Sequence, residues 1–224
     1  MWTHAELSAT TFHPPCGFVG QTPSKLPGNP LVFNTAWDAL RLPGMRHKVE
    51  VASPPVPGLF PATVALCQAL VTAGRNLWLD QPSRSLIHQW FCHKSDVCLV
   101  SSPEQADFTL VTSPARMPSL YELNIGDGAD PATATTLLIQ LTDLDALERS
   151  LWQAAVARHS GLDPHVDTTE CALLAESPDL TPTFWHQREE LQEMLPWGID
   201  IFFIHDGSFV ALPRDMAFPS ALAA

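Results

Sequence analysis

Apolar residues are densest near the end of the chain, between Ile199 and Leu212. The run from Ile199 to Ile204 is too apolar for a strand with one face in water, and Asp206-Gly207 supplies a two-residue turn before the chain returns through Phe209 to Leu212. The pattern predicts a β-hairpin. Because both faces of its first strand are apolar, we expect that strand to lie inside a sheet covered by helices on both sides.

Helical and strand-like patterns alternate along the rest of the chain. Predicted helices begin at five places: Pro30, Pro61, Ser83, Asp143 or Asp145, and Thr181-Pro182. Predicted strands cover residues 76–80, 97–100, 107–112, 133–142 and 171–176, with a further strand-like stretch after the basic residues near 46. This order predicts an α/β fold, a three-layer mixed sheet flanked by helices. On the last helix, the polar cluster is predicted to face water: Arg188, Glu189, Glu190 and Glu193.

Residues 1–29 differ from the remainder of the chain, since they are rich in Pro, Thr and Gly and show little periodicity. We expect them to form an extended N-terminal arm, and residues 30–224 to form a single domain. The N-terminus lacks the basic start and apolar middle of a secretory signal. A cytoplasmic protein is therefore expected.

The net charge narrows the classes of partner, and the cysteine content indicates the state of the thiols. The 224-residue chain carries a formal net charge of -12, which argues against nucleic acid and anionic membranes because both are bound through clustered Lys and Arg. No apolar run reaches the ~18 residues of a membrane span. The 5 cysteines are odd in number and scattered, which favours reduced thiols over a disulfide framework.

Recognisable catalytic motifs are missing from the sequence. It contains neither a GxxxxGK phosphate loop nor a GxSxG nucleophile turn. His88, Cys92, His93 and Cys98 lie close together, and His88 and Cys92 would share a helix face, but their spacing matches no zinc signature. We expect no metal and no cofactor.

Two charged groupings are candidates for specific contacts. Asp200 interrupts the apolar strand, so it must find a donor or lie at the mouth of the sheet, and Arg214, at the far end of the return strand, is its candidate partner. The two could form a structural ion pair, be unconnected surface charges or contact a ligand. Arg46, His47 and Lys48 form the compact positive patch of an acidic chain. That patch could bind a phosphonate, a nucleoside triphosphate or an acidic partner, or it could be an ordinary surface loop.

Four segments carry a resemblance to a known family. They are FNTAWDALRLPG from Phe33 to Gly44, LCQALVTAGRNLWLD from Leu66 to Asp80, the stretch Cys92–Val111 with its tetrad Pro103-Glu104-Gln105-Ala106, and the ending PWGIDIFFIHDGSFVALPRD. In this order they resemble the H subunit of carbon-phosphorus lyase, the PhnH family. Departures are Asn34, where the family has arginine, and Ser177-Pro178-Asp179-Leu180, where it has a glycine-containing element. The chain is also longer than the family pattern by about one helix and a loop, so we expect a helical insertion around residues 143–170.

The resemblance implies a fold and a role. The fold would be similar to the large domain of pyridoxal-phosphate-dependent transferases, without the cofactor, for which the chain offers only Lys25, Lys48 and Lys94. The role would be that of an accessory subunit of the carbon-phosphorus lyase core complex, with the G, I and J subunits as partners and a homodimer as a further expectation. That complex transfers alkylphosphonate to the ribose C1' of ATP with release of adenine. The resemblance further implies structural or interface roles for its signature residues: Phe33, Pro43, Gly44, Pro103, Glu104, Pro196, Gly198, Asp200, Pro213 and Arg214.

Two other functions remain open on the sequence alone. One is a free-standing metal- or thiol-dependent enzyme of α/β fold, using His88, Cys92 and His93 at the carboxyl edge of the sheet. The other is a homodimeric scaffold protein whose arm or hairpin mediates assembly.

Overall fold

The protein is an α/β domain, seen in a computed structural model that describes residues 29–50, 55–94, 97–126, 133–159, 179–194 and 198–216. Within these ranges the chain forms five α-helices and a seven-stranded mixed sheet. The expected arm apart from its last residue, Asn29, the strand at 171–176, the end of the expected insertion and Pro196 lie outside the described residues.

The helices agree with the predicted apolar periodicity. They are α1 (Pro30–Arg41), α2 (Pro61–Leu70), α3 (Leu86–Lys94), α4 (Asp145–His159) and α5 (Pro182–Met194). Proline opens α1 and α2, where its missing N–H leaves no bond unmade. The predicted cap of α3 is wrong by two residues, because Ser85, not Ser83, accepts the N–H of His88 through its Oγ, at 3.1 Å. None of the described helices has the length and apolarity required to cross a bilayer.

The strands are β1 (His47–Lys48), β2 (Asn76–Leu79), β3 (Cys98–Leu99), β4 (Phe108–Val111), β5 (Thr136–Gln140), β6 (Asp200–His205) and β7 (Ser208–Leu212). Their spatial order is β1-β7-β6-β5-β4-β2-β3. The five strands from β6 to β3 run parallel, whereas β7 and β1 are antiparallel additions. The predicted hairpin is thus confirmed, with Asp206 at φ 48 in its turn.

Helices cover both faces of the sheet, as the apolar hairpin strand required. On one face, α1, α2 and α3 pack against side chains such as Leu138 and Phe202. On the other, α4 and α5 pack against Ile139 and Phe203. Adjacent residues of β5 and of β6 therefore enter opposite cores, which is the period-two alternation of a strand between two helical layers.

Strand order reverses at β2. The chain passes from β2 to β3 on one side, then returns to place β4, β5 and β6 successively on the other side. Ligands of open α/β sheets bind outside the carboxyl ends of the strands at such a reversal. The ends of β2 and β4 are therefore the first place to look for a site.

Candidate functional site

A buried carboxylate occupies the carboxyl edge between β2 and β4. Asp80, directly after β2, has a side chain that is 0% exposed. Its Oδ1 and Oδ2 accept the hydroxyl of Thr112 at 2.9 and 3.1 Å, and Oδ2 accepts the N–H of Ser113 at 3.0 Å. Both partners come directly after β4, so the carboxylate ties the ends of two adjacent parallel strands together.

Arg116 covers this carboxylate from the solvent side. Its Nε and Nη2 each donate to Oδ2 of Asp80 at 3.3 Å, and Nη2 also donates to Thr112 Oγ1 at 3.1 Å. The Arg116 side chain is 51% exposed. The result is a guanidinium with two of its nitrogens bound to the protein and with its outer surface in water.

We name this group the switch-point cluster: Asp80, Gln81, Thr112, Ser113 and Arg116. Gln81 completes it by donating from Nε2 to Thr112 Oγ1 at 2.5 Å. Sequence reasoning placed Asp80 and Thr112 at the ends of predicted strands but did not combine them. The signal that could have found the cluster is a polar residue directly after each of two buried strands, provided that those strands are neighbours.

The predicted pair of Asp200 and Arg214 is confirmed at the other end of the sheet. Arg214 donates to the carboxylate three times, from its backbone N at 2.9 Å, from Nε at 2.7 Å and from Nη2 at 2.5 Å. Both side chains are only 2% exposed. Burial raises the pKa of the Asp200 carboxyl, and Arg214 acts in the opposite direction. The pair is sealed inside the protein, and its role is to fix the two open ends of the hairpin to each other.

The prediction that Arg188 faces water is wrong. Its residue exposure is 3%, and its Nη1 and Nη2 donate to the carbonyl oxygens of Met216 and Pro213 at 3.0 and 2.9 Å. Desolvation lowers the pKa of Arg188 to about 10. The reason for the error is tertiary: the segment after β7 covers one side of α5, whereas Glu193 on the same helix is exposed.

One residue of the basic patch, Arg46, is engaged with α4. Arg46 Nη2 lies 2.6 Å from Asp145 and 2.7 Å from Glu148, and it lowers the pKa of the Asp145 carboxyl through a hydrogen bond. His47 stacks on the ring of Phe209 with centroids 5.8 Å apart. Its Nε2 is buried without a hydrogen-bond partner in the described part of the chain, and desolvation lowers its pKa. Of the three patch residues, Lys48 alone is exposed, while Arg46 and His47 are half-buried.

Of the candidate thiol and metal residues, His88, Cys92 and His93 lie on α3 and Cys98 lies on β3. Cys92 Sγ is 3.6 Å from His88 Nδ1, while His93 Nδ1 contacts the carbonyl oxygen of Gln89 at 2.6 Å. Cys92 and Cys98 are both exposed. Among the described residues, no group of three or more His, Cys, Asp or Glu side chains could hold a metal ion.

Glycines of the resembling segments mark close backbone approaches. Gly44 has φ +79, and a Cβ there would lie 2.3 Å from the backbone N of Trp152 in α4. Gly198 has φ +43, and its Cβ would lie 3.0 Å from the carbonyl oxygen of Arg214. Only glycine combines this φ with this proximity.

The other signature residues have structural positions as well. Phe33, on the buried side of α1, is 5% exposed, and Pro43 comes after the end of that helix. Pro103 opens a 3-10 turn over Pro103–Gln105, in which Glu104 is exposed. Pro213 is buried, and its carbonyl oxygen receives Arg188.

Comparison with known proteins supports the resemblance seen in the sequence. The family described as "Bacterial phosphonate metabolism protein (PhnH)" matches residues 26–218. No curated protein matches the chain. The family match spans every described helix and strand, including the hairpin and its Asp200–Arg214 pair. The chain therefore belongs to the PhnH family of bacterial phosphonate metabolism proteins.

Proposed function

We propose that the protein is an accessory subunit of the carbon-phosphorus lyase core complex, without catalytic activity of its own. Membership of the PhnH family, matched over residues 26–218, connects it with phosphonate metabolism and is the observation that carries the proposal. In this role it supports the G, I and J subunits when alkylphosphonate replaces adenine at the ribose C1' of ATP. The proposal includes a cytoplasmic location, because ATP is consumed in that step.

The use of charged residues within the described chain supports an accessory role. A general acid or base must reach the proton that it transfers. Asp200 and Arg214 are each only 2% exposed, and the Asp80 carboxylate is 0% exposed and filled with protein donors. These groups join strand ends to each other, and a substrate could reach neither carboxylate without displacing those donors.

The one lysine whose side chain the structure describes, Lys48, does not fit a pyridoxal phosphate site. The cofactor needs a lysine in a pocket to form its Schiff base. Lys48 is exposed on β1, the outermost strand of the sheet, while Lys25 and the side chain of Lys94 lie outside the described part. The proposal includes a scaffold similar to the large domain of those transferases that works without the cofactor.

Release of adenine provides the direct test. The purified chain, incubated with ATP and methylphosphonate, is expected to release no adenine, whereas a preparation with the G, I and J subunits is expected to do so and to retain the chain through purification. Adenine release by the chain alone would contradict the proposal. So would its failure to co-purify with every one of those subunits.

A thiol-dependent enzyme is the second candidate, favoured by the 3.6 Å contact between Cys92 Sγ and His88 Nδ1. An imidazole at this distance can activate a thiol as a nucleophile. The variant C92S separates the candidates. If the isolated chain shows an activity that C92S loses, or a stoichiometric metal that C92S loses, the enzyme is supported.

Light scattering with and without residues 1–29 tests the homodimeric scaffold.

A further inference from the structure

We propose that the switch-point cluster binds a phosphonyl or phosphoryl oxyanion, with Arg116 as the principal donor. The inference does not depend on the accessory role, because it concerns binding by this chain alone. It starts from position: the cluster lies at the carboxyl ends of β2 and β4, between which the strand order reverses. Ligand sites of open α/β sheets form there because the loops after the two strands diverge to opposite faces.

The cluster exposes a guanidinium, which can bind an anion, and keeps its carboxylate buried. Asp80 is 0% exposed, so it offers no oxygen to a cation, whereas Arg116 is 51% exposed. Nε and Nη2 of Arg116 are engaged with Asp80 and Thr112, and Nη1 makes no hydrogen bond to another described residue. The guanidinium is thus held in one orientation before a ligand arrives, which reduces the entropy lost on binding.

A second arginine lies on the neighbouring loop. Arg84 is four residues beyond Asp80, as Arg116 is four residues beyond Thr112. It is exposed and forms no ion pair with the described residues. Because the Asp80–Arg116 pair is neutral as a unit, the proposal assigns to Arg84 the net positive charge that an anion requires. The oxygens of a phosphonyl or phosphoryl group can each accept charge-assisted hydrogen bonds from a guanidinium.

Phosphorus oxyanions are preferred because of the family to which the chain belongs. Its members act in bacterial phosphonate metabolism, so a phosphonate and a phosphate ester are the ligands of this chemistry in that setting. Free methylphosphonate and the triphosphate of ATP carry the same type of oxygen. The geometry of one half-exposed guanidinium accepts either, and the experiment distinguishes them.

Titration calorimetry on the full-length chain tests the site with three probes: inorganic phosphate, methylphosphonate and ATP. Wild type is expected to bind at least one of them, and R116Q to bind it at least about tenfold more weakly, the effect of losing a charge-assisted hydrogen bond. R84Q is expected to weaken binding to a smaller extent. Tighter binding of ATP would identify a polyphosphate site, and similar binding of all three a site for a single oxyanion; either supports the proposal.

The matched control is R75Q. Arg75 lies beside Asp107 with 3.9 Å between Nη1 and Oδ1, before the amino end of β2, so it is a partly exposed arginine of an ion pair at the opposite edge of the sheet. Its replacement is expected to leave binding unchanged. If R116Q does not fold because Asp80 loses its counter-charge, D80N/R116Q carries the test, since it leaves no buried charge. The proposal would be overturned if no probe binds at ~10 mM, or if R75Q and R116Q weaken binding equally. It would also be overturned if binding stays at the wild-type level after loss of Arg116. The Asp80–Arg116 pair would then be an ion pair that only joins two strands.

Discussion

Arg188 donates from Nη2 to the carbonyl oxygen of Pro213, at 2.9 Å, and thereby anchors the segment after the final hairpin to α5. A second bond joins its Nη1 to the carbonyl oxygen of Met216. Both of these acceptors are neutral carbonyls; desolvation lowers the pKa of the guanidinium, and the carboxylates of Asp200 and Asp215 act in the opposite direction. The segment it binds is also the one that carries Arg214, so α5, the hairpin and the Asp200–Arg214 pair form one connected polar unit.

Replacing Arg188 by methionine is expected to lower the free energy of unfolding by roughly 3 kcal/mol, because two buried carbonyl groups lose charged donors. Urea denaturation measures the change. E193Q, on the exposed side of the same helix, is the control and is expected to stay within about 0.5 kcal/mol of wild type. A loss no larger in R188M than in E193Q would show that the two bonds contribute nothing.

The Asp200–Arg214 pair is expected to show strong coupling. R214M leaves a buried carboxylate without its counter-charge and should lower the free energy of unfolding by about 3 to 5 kcal/mol. D200N/R214M removes the charge as well and is expected to recover a large part of that loss. The double-mutant cycle, completed with D200N, measures the coupling by denaturant unfolding. Additive effects of the two single substitutions would contradict the buried pair.

Gly44 and Gly74 form a matched pair for testing close packing against α4. Both have left-handed backbones, with φ +79 and φ +77, but a Cβ at Gly44 meets Trp152 N at 2.3 Å while at Gly74 nothing lies within 4 Å. G74A is expected to lower the unfolding free energy by about 1 kcal/mol, the backbone strain alone. G44A adds the steric conflict, for a total of roughly 3 to 5 kcal/mol. Equal effects in thermal melts would show that the contact with α4 is not tight.

Thiol reactivity is expected to differ sharply among the described cysteines. Burial raises the pKa of Cys67 to about 12, so at neutral pH this thiol is neither ionised nor accessible. Cys92 and Cys98 are exposed. Iodoacetamide labelling and then peptide mass spectrometry should show modification of Cys92 and Cys98 in the native protein and of Cys67 only after denaturation. Modification of native Cys67 at the rate of Cys92 would contradict the buried position of α2.

His47 is expected to make stability sensitive to mild acid. Its pKa is lowered in the folded state from the ordinary value of 6.5, so as the pH falls below about 6.5 the unfolded chain takes up the proton first and the folded state is disfavoured. Above that pH both states are neutral at this residue. H47F keeps the ring beside Phe209 and removes the titration. The difference in unfolding free energy between wild type and H47F should therefore stay constant from pH 9 to about 7.5 and then shift against wild type; a constant difference down to pH 5.5 would contradict this.

Local sequence patterns were sufficient to predict the helices and strands, but not to predict which of them lie next to each other in the fold. The hairpin and α2 could be predicted because every relevant residue lies within one short apolar run. The switch-point cluster could not, because Asp80 and Thr112 meet only when the chain returns from β3 to the other side of β2, where β4 pairs with it. Arg188 was missed for a similar reason: its polar neighbours on α5 face water, and only the fold of the hairpin decides which side of the helix is covered.

The two outermost strands, β1 and β3, are each two residues long. A strand this short exposes few backbone donors and acceptors to a neighbouring chain, so it is a poor template for extending the sheet into another molecule. Association by strand addition is thereby disfavoured at both rims. A partner subunit, or a second copy of this chain, would instead have to recognise helix and loop side chains, where substitutions can change the choice of partner without disturbing the sheet.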